Sequence, residues 1–431
     1  MSGMSVRPYQ EITFDADGDV DAAQRDALAR LDVTDLVVFA HGWNSSRSVA
    51  TRLYSRFFAP FPGALGRAPG ARVGYAGVVW PAMRFADEPV PDFPGRAAVA
   101  GAGPGGAAPA GAAGLDGETR RGLLVVFPGH EAAVERLAVL LAEQPEDRAA
   151  FEEFGLLVRR LVEAPPSGFA ADLEATAEPA TSAPAFLDED TLTVCARFTE
   201  ALGDRSLSAG GGPRRLWKGA REVLRQAAYW AMKRRSGVVG ERGLGPVVGH
   251  LARSSPGVRV HLAGHSQGAR LVAFALRGLP GGVGNVKSVT LLQGAFSHYA
   301  FATRLPRPLR GGGALGGLHR RVDGPVVACH SHHDTALGVL YPLASCLAGD
   351  ATSAAGPGRR WGAVGYGGIQ AVDGTPALTL DAALSGALPR SGCVNVDASP
   401  VVRRGGPPAG AHSDICHPEL ARVVLAAAGL A

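Results

Sequence analysis

The chain has 431 residues, 46% hydrophobic and 19% charged, so it is long and apolar enough for one large enzyme domain with an insertion, or for two domains. Its formal net charge is only +4 and its basic residues are scattered, so a nucleic-acid-binding stripe is not indicated. Five widely spaced cysteines without a CxxC pair argue against a disulfide framework. The N-terminus shows no signal-peptide core, and no run approaches the roughly 18 to 20 apolar residues of a membrane span. We therefore expect a soluble, cytoplasmic protein.

The N-terminal part of the chain, residues 1–81, alternates helical and strand patterns. Residues 19–31 have helical spacing, and residues 35–40 form a short, continuous apolar run typical of a strand buried on both faces of a parallel sheet. A helix is predicted over 45–58 and a second strand over 72–80. We interpret residues 1–81 as the first part of an α/β core.

Residues 82–235 interrupt this alternation. Residues 95–117 consist mainly of Ala, Gly and Pro, which predicts a disordered tether. Helical periodicity returns over 129–163, 186–202 and 214–235. We expect residues 82–235 to be one mostly helical insertion that forms a lid or cap.

The alternation resumes over residues 236–431, the second part of the core. The strand patterns here cover residues 258–263, 286–292, 324–329 and 394–397, and the helical patterns cover 245–253, 269–276 and 418–428. Strands that alternate with helices at this spacing predict an open, mostly parallel α/β sheet flanked by helices.

Gly264-His265-Ser266-Gln267-Gly268 lies between a predicted strand and a predicted helix. In that context a G-x-S-x-G pattern predicts a sharp turn that exposes Ser266 as a nucleophile, with glycines on either side to accommodate the strained backbone. His265 is expected to pack beside the turn as a structural residue. The alternative is a glycine-rich turn that binds a phosphate or nothing.

A serine nucleophile needs a base and an acid that orients the base. Asp334 is the only carboxylate in the loop after the strand 324–329, and His412 lies between the last predicted strand and the terminal helix. Their order along the chain is that of a Ser-Asp-His triad. Asp334 could instead cap a helix, and other candidates remain open: Asp323 or Asp350 for the acid, and His417 for the base.

His41 and Gly42 directly follow the first buried strand. A His-Gly pair in that position lets the backbone turn so that the next amide points toward the nucleophile. The expected donors to an oxyanion are the amides of Trp43 and Gln267, with Asn44 as a further candidate.

These motifs resemble those of the α/β-hydrolase superfamily, and in particular poorly characterised bacterial hydrolases with a His-Gly-(Phe/Trp)-Asn turn and a Gly-His-Ser-x-Gly elbow. The resemblance covers residues 33–81 and 236–428. The matching segments are His41-Gly42-Trp43-Asn44, Trp80-Pro81, Gly264 to Arg270, Asp334 to Gly338, and His412-Ser413-Asp414. The resemblance implies an α/β-hydrolase fold and hydrolysis of esters, thioesters, amides or related bonds, although some members of the superfamily are not enzymes.

We expect a serine hydrolase that acts on carboxylic or lipid-like esters, without a cofactor or a metal ion. Two alternatives remain open. The fold could serve as a catalytically silent binding protein, with the Arg-rich face of residues 214–235 against an acidic partner. The cluster His330, His332, His333 and Asp334 could instead hold zinc, although its pattern breaks at Thr335.

Overall fold

The computed structural model describes residues 3–66, 70–83, 85, 114–162, 189–202, 213–307, 311–342, 362–406 and 409–431. Residues 95–113 of the predicted tether lie outside this description. Residues 114–116 lead directly into a helix that begins at Gly117.

The core is an eight-stranded sheet in which every described pairing is parallel. The strands are β1 (Tyr9–Thr13), β2 (Asp35–Ala40), β3 (Val73–Val79), β4 (Arg259–His265), β5 (Val286–Leu292), β6 (Pro325–His330), β7 (Ala377–Thr379) and β8 (Gly392–Asp397). Their order across the sheet is β1-β3-β2-β4-β5-β6-β8-β7. The predicted α/β class with a parallel sheet is confirmed.

The two edge strands, β1 and β7, do not follow from the sequence pattern. Only one of the five residues of β1 is buried, and β7 has three residues with none buried. An edge strand lacks one neighbour and part of its cover, so it does not need the continuous apolar run that marks the central strands.

Helices cover both faces of the sheet. The main helices are α1 (Ala22–Ala29), α2 (Arg47–Phe58), α3 (Phe61–Ala64), α4 (Gly117–Val126), α5 (Glu131–Glu143), α6 (Arg148–Val162), α7 (Thr191–Ala201), α8 (Leu216–Val238), α9 (Gly245–Ser254), α10 (Gln267–Gly278) and α11 (Pro418–Ala428), and two single turns lie at Val364–Gly367 and Leu380–Ala382. One buried cluster joins the sheet to α2, α3 and α11, and a second joins the other face to α9, α10 and the helices α4 to α8. No helix in the described ranges is long and apolar enough to cross a lipid bilayer.

The helical pattern of residues 129–163 corresponds to two helices, α5 and α6. Gln144 ends α5 in the left-handed conformation (φ 49°), and Pro145 follows it. A left-handed residue followed by proline ends a helix, and this explains the break. The helix predicted over 214–235 is α8, which continues through a π-helical turn, Val239–Leu244, into α9.

Close packing of the π-helical turn on α10 predicts the effect of a substitution at Gly240. A methyl group there would lie 2.2 Å from the carbonyl oxygen of Leu271 and 3.0 Å from Cβ of Phe274. Gly240→Ala is therefore expected to lower the free energy of unfolding by about 1–3 kcal/mol, as overpacking does elsewhere. Gly406→Ala is the control, because a methyl at Gly406 meets nothing within 4 Å. Denaturant unfolding that finds both variants equally stable would contradict this packing.

Candidate active site

Ser266 stands at the turn between β4 and α10 in a backbone conformation that is unfavourable for serine (φ 57°, ψ −121°). Two glycines make the turn possible, because they let β4 lie close to the start of α10 and let α10 lie close to the end of β2. A methyl at Gly264 would lie 2.3 Å from the carbonyl oxygen of Gly268, and one at Gly268 would lie 2.1 Å from that of Ala40. Both predicted elbow glycines are thus required by the packing.

A continuous hydrogen-bonded chain joins Ser266, His412 and Asp334. Ser266 Oγ lies 2.8 Å from His412 Nε2, and His412 Nδ1 lies 2.7 Å from Asp334 Oδ2. An ionised carboxylate only accepts, so Nδ1–H donates to Asp334 and leaves the Nε2 lone pair to accept from the Ser266 hydroxyl. The structure therefore brings together the three residues that the sequence nominates, with Asp334 fully buried.

The capping interpretation of Asp334 holds at the same time. Its Oδ1 accepts from the backbone N–H of Leu337 at 3.0 Å, while its Oδ2 accepts from His412. The two roles use different oxygens, and the cap fixes the orientation of the carboxylate that faces the histidine.

The alternative candidates for the base and the acid do not contact Ser266 or His412 in the described residues. His417 is paired with Asp414 at 2.8 Å. Asp323 pairs with Lys287, just before the amino end of β6 and therefore at the edge of the sheet opposite Ser266. Asp350 lies outside the described residues.

The His-Gly turn lies against the nucleophile. A methyl at Gly42 would come within 3.1 Å of Ser266 Cβ. His41 Nδ1–H donates to the Gly42 carbonyl at 2.7 Å, and the indole N–H of Trp80 donates to the His41 carbonyl at 3.0 Å. The rings of His41 and Trp80 are stacked at 5.5 Å. These contacts fix two successive peptide planes, and the Trp43 N–H lies on the side of its peptide opposite the bound Gly42 carbonyl.

Gln267 is the first residue of α10, so its backbone N–H has no acceptor within the helix. The positive end of the helix dipole lies at the same point. The expected donors Trp43 and Gln267 therefore flank the nucleophile, one on the His-Gly turn and one at the start of the helix. The side chain of Asn44 has another role: its Oδ1 accepts from the backbone N–H of Phe85 at 2.8 Å.

His265 does more than pack beside the turn. Its Nε2–H donates to the carbonyl of His412 at 2.8 Å, and the two rings are 5.0 Å apart. Burial lowers the pKa of His265 to about 3 and that of His41 to about 4. Both rings are therefore neutral at pH 7, and neither places a fixed positive charge beside His412.

Aromatic and apolar residues that the sequence does not single out form the surroundings of Ser266. Tyr229 of α8 meets Trp43 edge to face at 5.3 Å, and its carbonyl accepts from the side chain of Gln267 at 3.2 Å. It packs against a small buried cluster formed by Ala295, Leu337, Tyr341 and Ala363. Helical periodicity over residues 214–235 predicts a helix there but gives no signal for the role of Tyr229.

The histidines after β6 do not form a metal site. His332 and His333 are exposed, whereas Asp334 is buried against His412. Within the ranges that the structure describes, no three His, Cys, Asp or Glu side chains are grouped closely enough to hold a metal ion.

Comparison with known proteins gives no assignment: no family model, curated protein or solved structure matches the chain.

Acid is expected to destabilise the fold through His265 and His41. Their folded pKa values lie below the unfolded value of about 6.5, so between pH 6.5 and about 4 the unfolded chain binds protons that the folded chain does not. Each contribution to stability is complete above pH 6.5 and falls by up to about 1.4 kcal/mol per pH unit on acidification.

Urea unfolding between pH 5 and 7 measures this slope. His265→Gln should reduce the slope by about one proton, whereas His333→Gln, at an exposed position, should leave it unchanged. Equal slopes in the wild type and His265→Gln would show that His265 titrates normally in the folded protein.

Proposed function

We propose that the protein is a serine hydrolase of the α/β-hydrolase type that cleaves carboxylic esters through an acyl-enzyme. The observation that carries the proposal is the chain from Ser266 through His412 to Asp334, with both hydrogen bonds below 3 Å and the serine in a strained turn. Such a serine, base and acid perform acyl transfer on several unrelated folds.

The position of each residue in the sheet supports this assignment. Ser266 follows the central strand β4, Asp334 follows β6, and His412 follows β8. In the α/β-hydrolase arrangement the nucleophile, acid and histidine come in this order along the chain. The His-Gly turn follows β2, the neighbour of β4 in the sheet.

In the proposed mechanism each step is carried by a named atom. Ser266 Oγ attacks the ester carbonyl while its proton passes to His412 Nε2, and Asp334 stabilises the imidazolium. The N–H groups of Trp43 and Gln267 hold the oxyanion. Collapse of the tetrahedral intermediate expels the alcohol, which takes the proton from His412. A water molecule, deprotonated by His412, then attacks the acyl-enzyme and releases the acid and the free serine.

The surroundings of Ser266 favour an ester with an apolar group. Ala295 is adjacent, since its backbone N–H donates to the Ser266 carbonyl at 3.1 Å. Leu337 and Tyr229 pack with it. Apolar and aromatic walls of this kind bind hydrocarbon parts of a ligand through burial of surface. The helix that carries Tyr229 belongs to the insertion, which we propose to act as a cap over the site.

Ser266→Ala is expected to abolish turnover of p-nitrophenyl esters and labelling by a fluorophosphonate probe, because both need the activated hydroxyl. The fold should persist, since alanine keeps Cβ and removes only Oγ. Intact-mass measurement of labelling and circular dichroism test the two statements. Ser254→Ala, at an exposed position on α9, is the control and should label like the wild type. A wild type that resists labelling would favour the catalytically silent binding protein instead.

Trp80→Phe is expected to lower kcat by roughly tenfold to a hundredfold with little change in KM. The substitution keeps an aromatic ring against His41 but removes the N–H that holds the His41 carbonyl. A looser turn misplaces the Trp43 amide, and loss of one oxyanion donor costs on the order of 10²- to 10³-fold. Steady-state kinetics on a p-nitrophenyl ester separate kcat from KM.

Trp217→Phe is the matched control for this effect. Trp217 also donates its indole N–H to a backbone carbonyl, that of Pro145 at 2.9 Å, and it also stacks on a neighbouring ring, but it lies within the insertion. Equal losses of kcat in the two variants would point to general destabilisation rather than to the oxyanion turn.

A further inference from the structure

The insertion helix α8 lies directly on the elements that carry Ser266 and the expected oxyanion donors. A methyl group at Gly237, near the end of α8, would lie 2.7 Å from Nη1 of Arg270 on α10. Tyr229, earlier in the same helix, contacts both the first residue of α10 and the His-Gly turn. A helix in this position can hold the site in place as well as cover it.

Gln267 connects α8 to the elbow through its side chain. Its Nε2–H donates to the backbone carbonyl of Tyr229 at 3.2 Å, while its own backbone N–H is one of the two expected donors to an oxyanion. Among the described residues its Oε1 has no hydrogen-bond partner, although the side chain is fully buried. A buried amide oxygen without a partner costs free energy of folding. An apolar side chain of similar size would avoid that cost, so the contribution of the glutamine is its bond to Tyr229.

Tyr229 also contacts the second expected donor, Trp43. The two rings meet edge to face, with centroids 5.3 Å apart and planes at 87°. This is a favourable geometry for a pair of aromatic rings. Because side-chain rotamer and backbone conformation depend on each other, a fixed indole restricts the orientation of the Trp43 peptide. One residue of α8 therefore holds both expected donors, Gln267 through its carbonyl and Trp43 through its ring.

Two further contacts of α8 reach the two ends of the His-Gly turn. Arg235 donates from Nη1 to the carbonyl of Pro81 at 3.0 Å, and Pro81 follows the tryptophan whose indole N–H binds the turn. Arg225 lies over the ring of Phe85 at 5.1 Å, a distance at which a cation and a ring attract each other. The backbone N–H of Phe85 in turn donates to the side chain of Asn44. Both ends of the turn are thus connected to α8.

We propose that Tyr229 is a positioning residue for the oxyanion hole, so that α8 holds the hole together as well as capping it. The inference rests on the proposed function, because it assigns a role in the same reaction. Tyr229 acts through Trp43 and Gln267 and not on the ester itself. A displacement of about 1 Å in a catalytic group can cost on the order of 10²-fold in rate. Loss of this link should therefore appear in kcat.

Hydrolysis of p-nitrophenyl acetate tests the role of Tyr229, since its small acyl group offers little hydrocarbon for a pocket wall to bind. Tyr229→Leu removes the ring from Trp43 and is expected to lower kcat by about tenfold or more with little change in KM. Tyr229→Phe keeps the ring and should lose clearly less. A rise in KM with unchanged kcat in Tyr229→Leu would make Tyr229 a pocket wall only and would overturn the inference.

Gln267→Met separates positioning from support of the fold. Methionine has a similar length but no amide, so it removes both the bond to Tyr229 and the oxygen without a partner. We expect that the thermal midpoint does not fall, whereas kcat for p-nitrophenyl acetate falls by up to about tenfold, the factor that one neutral hydrogen bond supplies. A lower midpoint with unchanged kcat would mean that the glutamine only supports the fold.

Trp230→Leu is the matched control, because it removes an aromatic ring from the next residue of α8. In the described part of the chain no ring contact joins Trp230 to Trp43, and the Trp230 ring lies instead 4.9 Å from the Lys233 ammonium group. This variant should keep the kcat of the wild type. A loss of kcat equal to that in Tyr229→Leu would point to general loosening of α8 and would contradict a specific role for Tyr229.

A trifluoromethyl ketone gives a second readout, which does not depend on a leaving group. Ser266 Oγ adds to its carbonyl carbon while the proton passes to His412, and the carbonyl oxygen becomes an oxyanion in the same hole. Tyr229→Leu should weaken inhibition by about the factor that it removes from kcat/KM, and unchanged inhibition would show that the hole is intact without the ring.

The wild type separates the two levels of the argument. A wild type that hydrolyses no ester would overturn the proposed function, and the role of Tyr229 with it. An active wild type whose kcat is retained in both Tyr229→Leu and Gln267→Met would overturn the positioning role alone.

Discussion

The contact between the start of α10 and the end of β2 is the constraint on which the candidate site depends. With no side chain at Gly268, the helix backbone can lie directly against the Ala40 and His41 carbonyls. That approach places the His-Gly turn beside Ser266 and forces the serine into its unfavourable conformation. The strain is held by the surroundings: Ser266 N–H donates to the Leu292 carbonyl, and the Ser266 carbonyl accepts from Ala295.

The parallel sheet explains how residues far apart in sequence meet. His412 is 146 residues from Ser266 and 78 residues from Asp334. Because all strands run the same way, the loops after β4, β6 and β8 leave the sheet at one edge, where side chains from each can converge. The His265 bond to the His412 carbonyl then ties the histidine loop directly to the elbow.

The sequence predicts the parts of the structure in which burial of a segment produces a hydrophobic pattern within that same segment. Central strands are buried on both faces and appear as apolar runs, so β2 and β5 were predicted with the bounds that the structure has. The residues of the hydrogen-bonded chain were nominated because each follows such a run. The edge strands, the short helix α4, the bond from Trp80 to His41 and the position of Tyr229 do not follow from the pattern. They depend on contacts between segments about 40 residues apart or more, or on partial burial, and neither leaves a periodic signal.

The carboxyl and amino edges of the sheet differ in whether their buried polar side chains carry a charge. At the carboxyl edge, burial lowers the pKa values of His41 and His265 and keeps both rings neutral, so neither adds a fixed positive charge beside His412. At the amino edge, Asp35 is buried but stays ionised, because bonds from His261 and Arg259 outweigh its burial and lower its pKa to about 2. That fixed carboxylate holds Arg259, the first residue of β4, beside the amino end of β2.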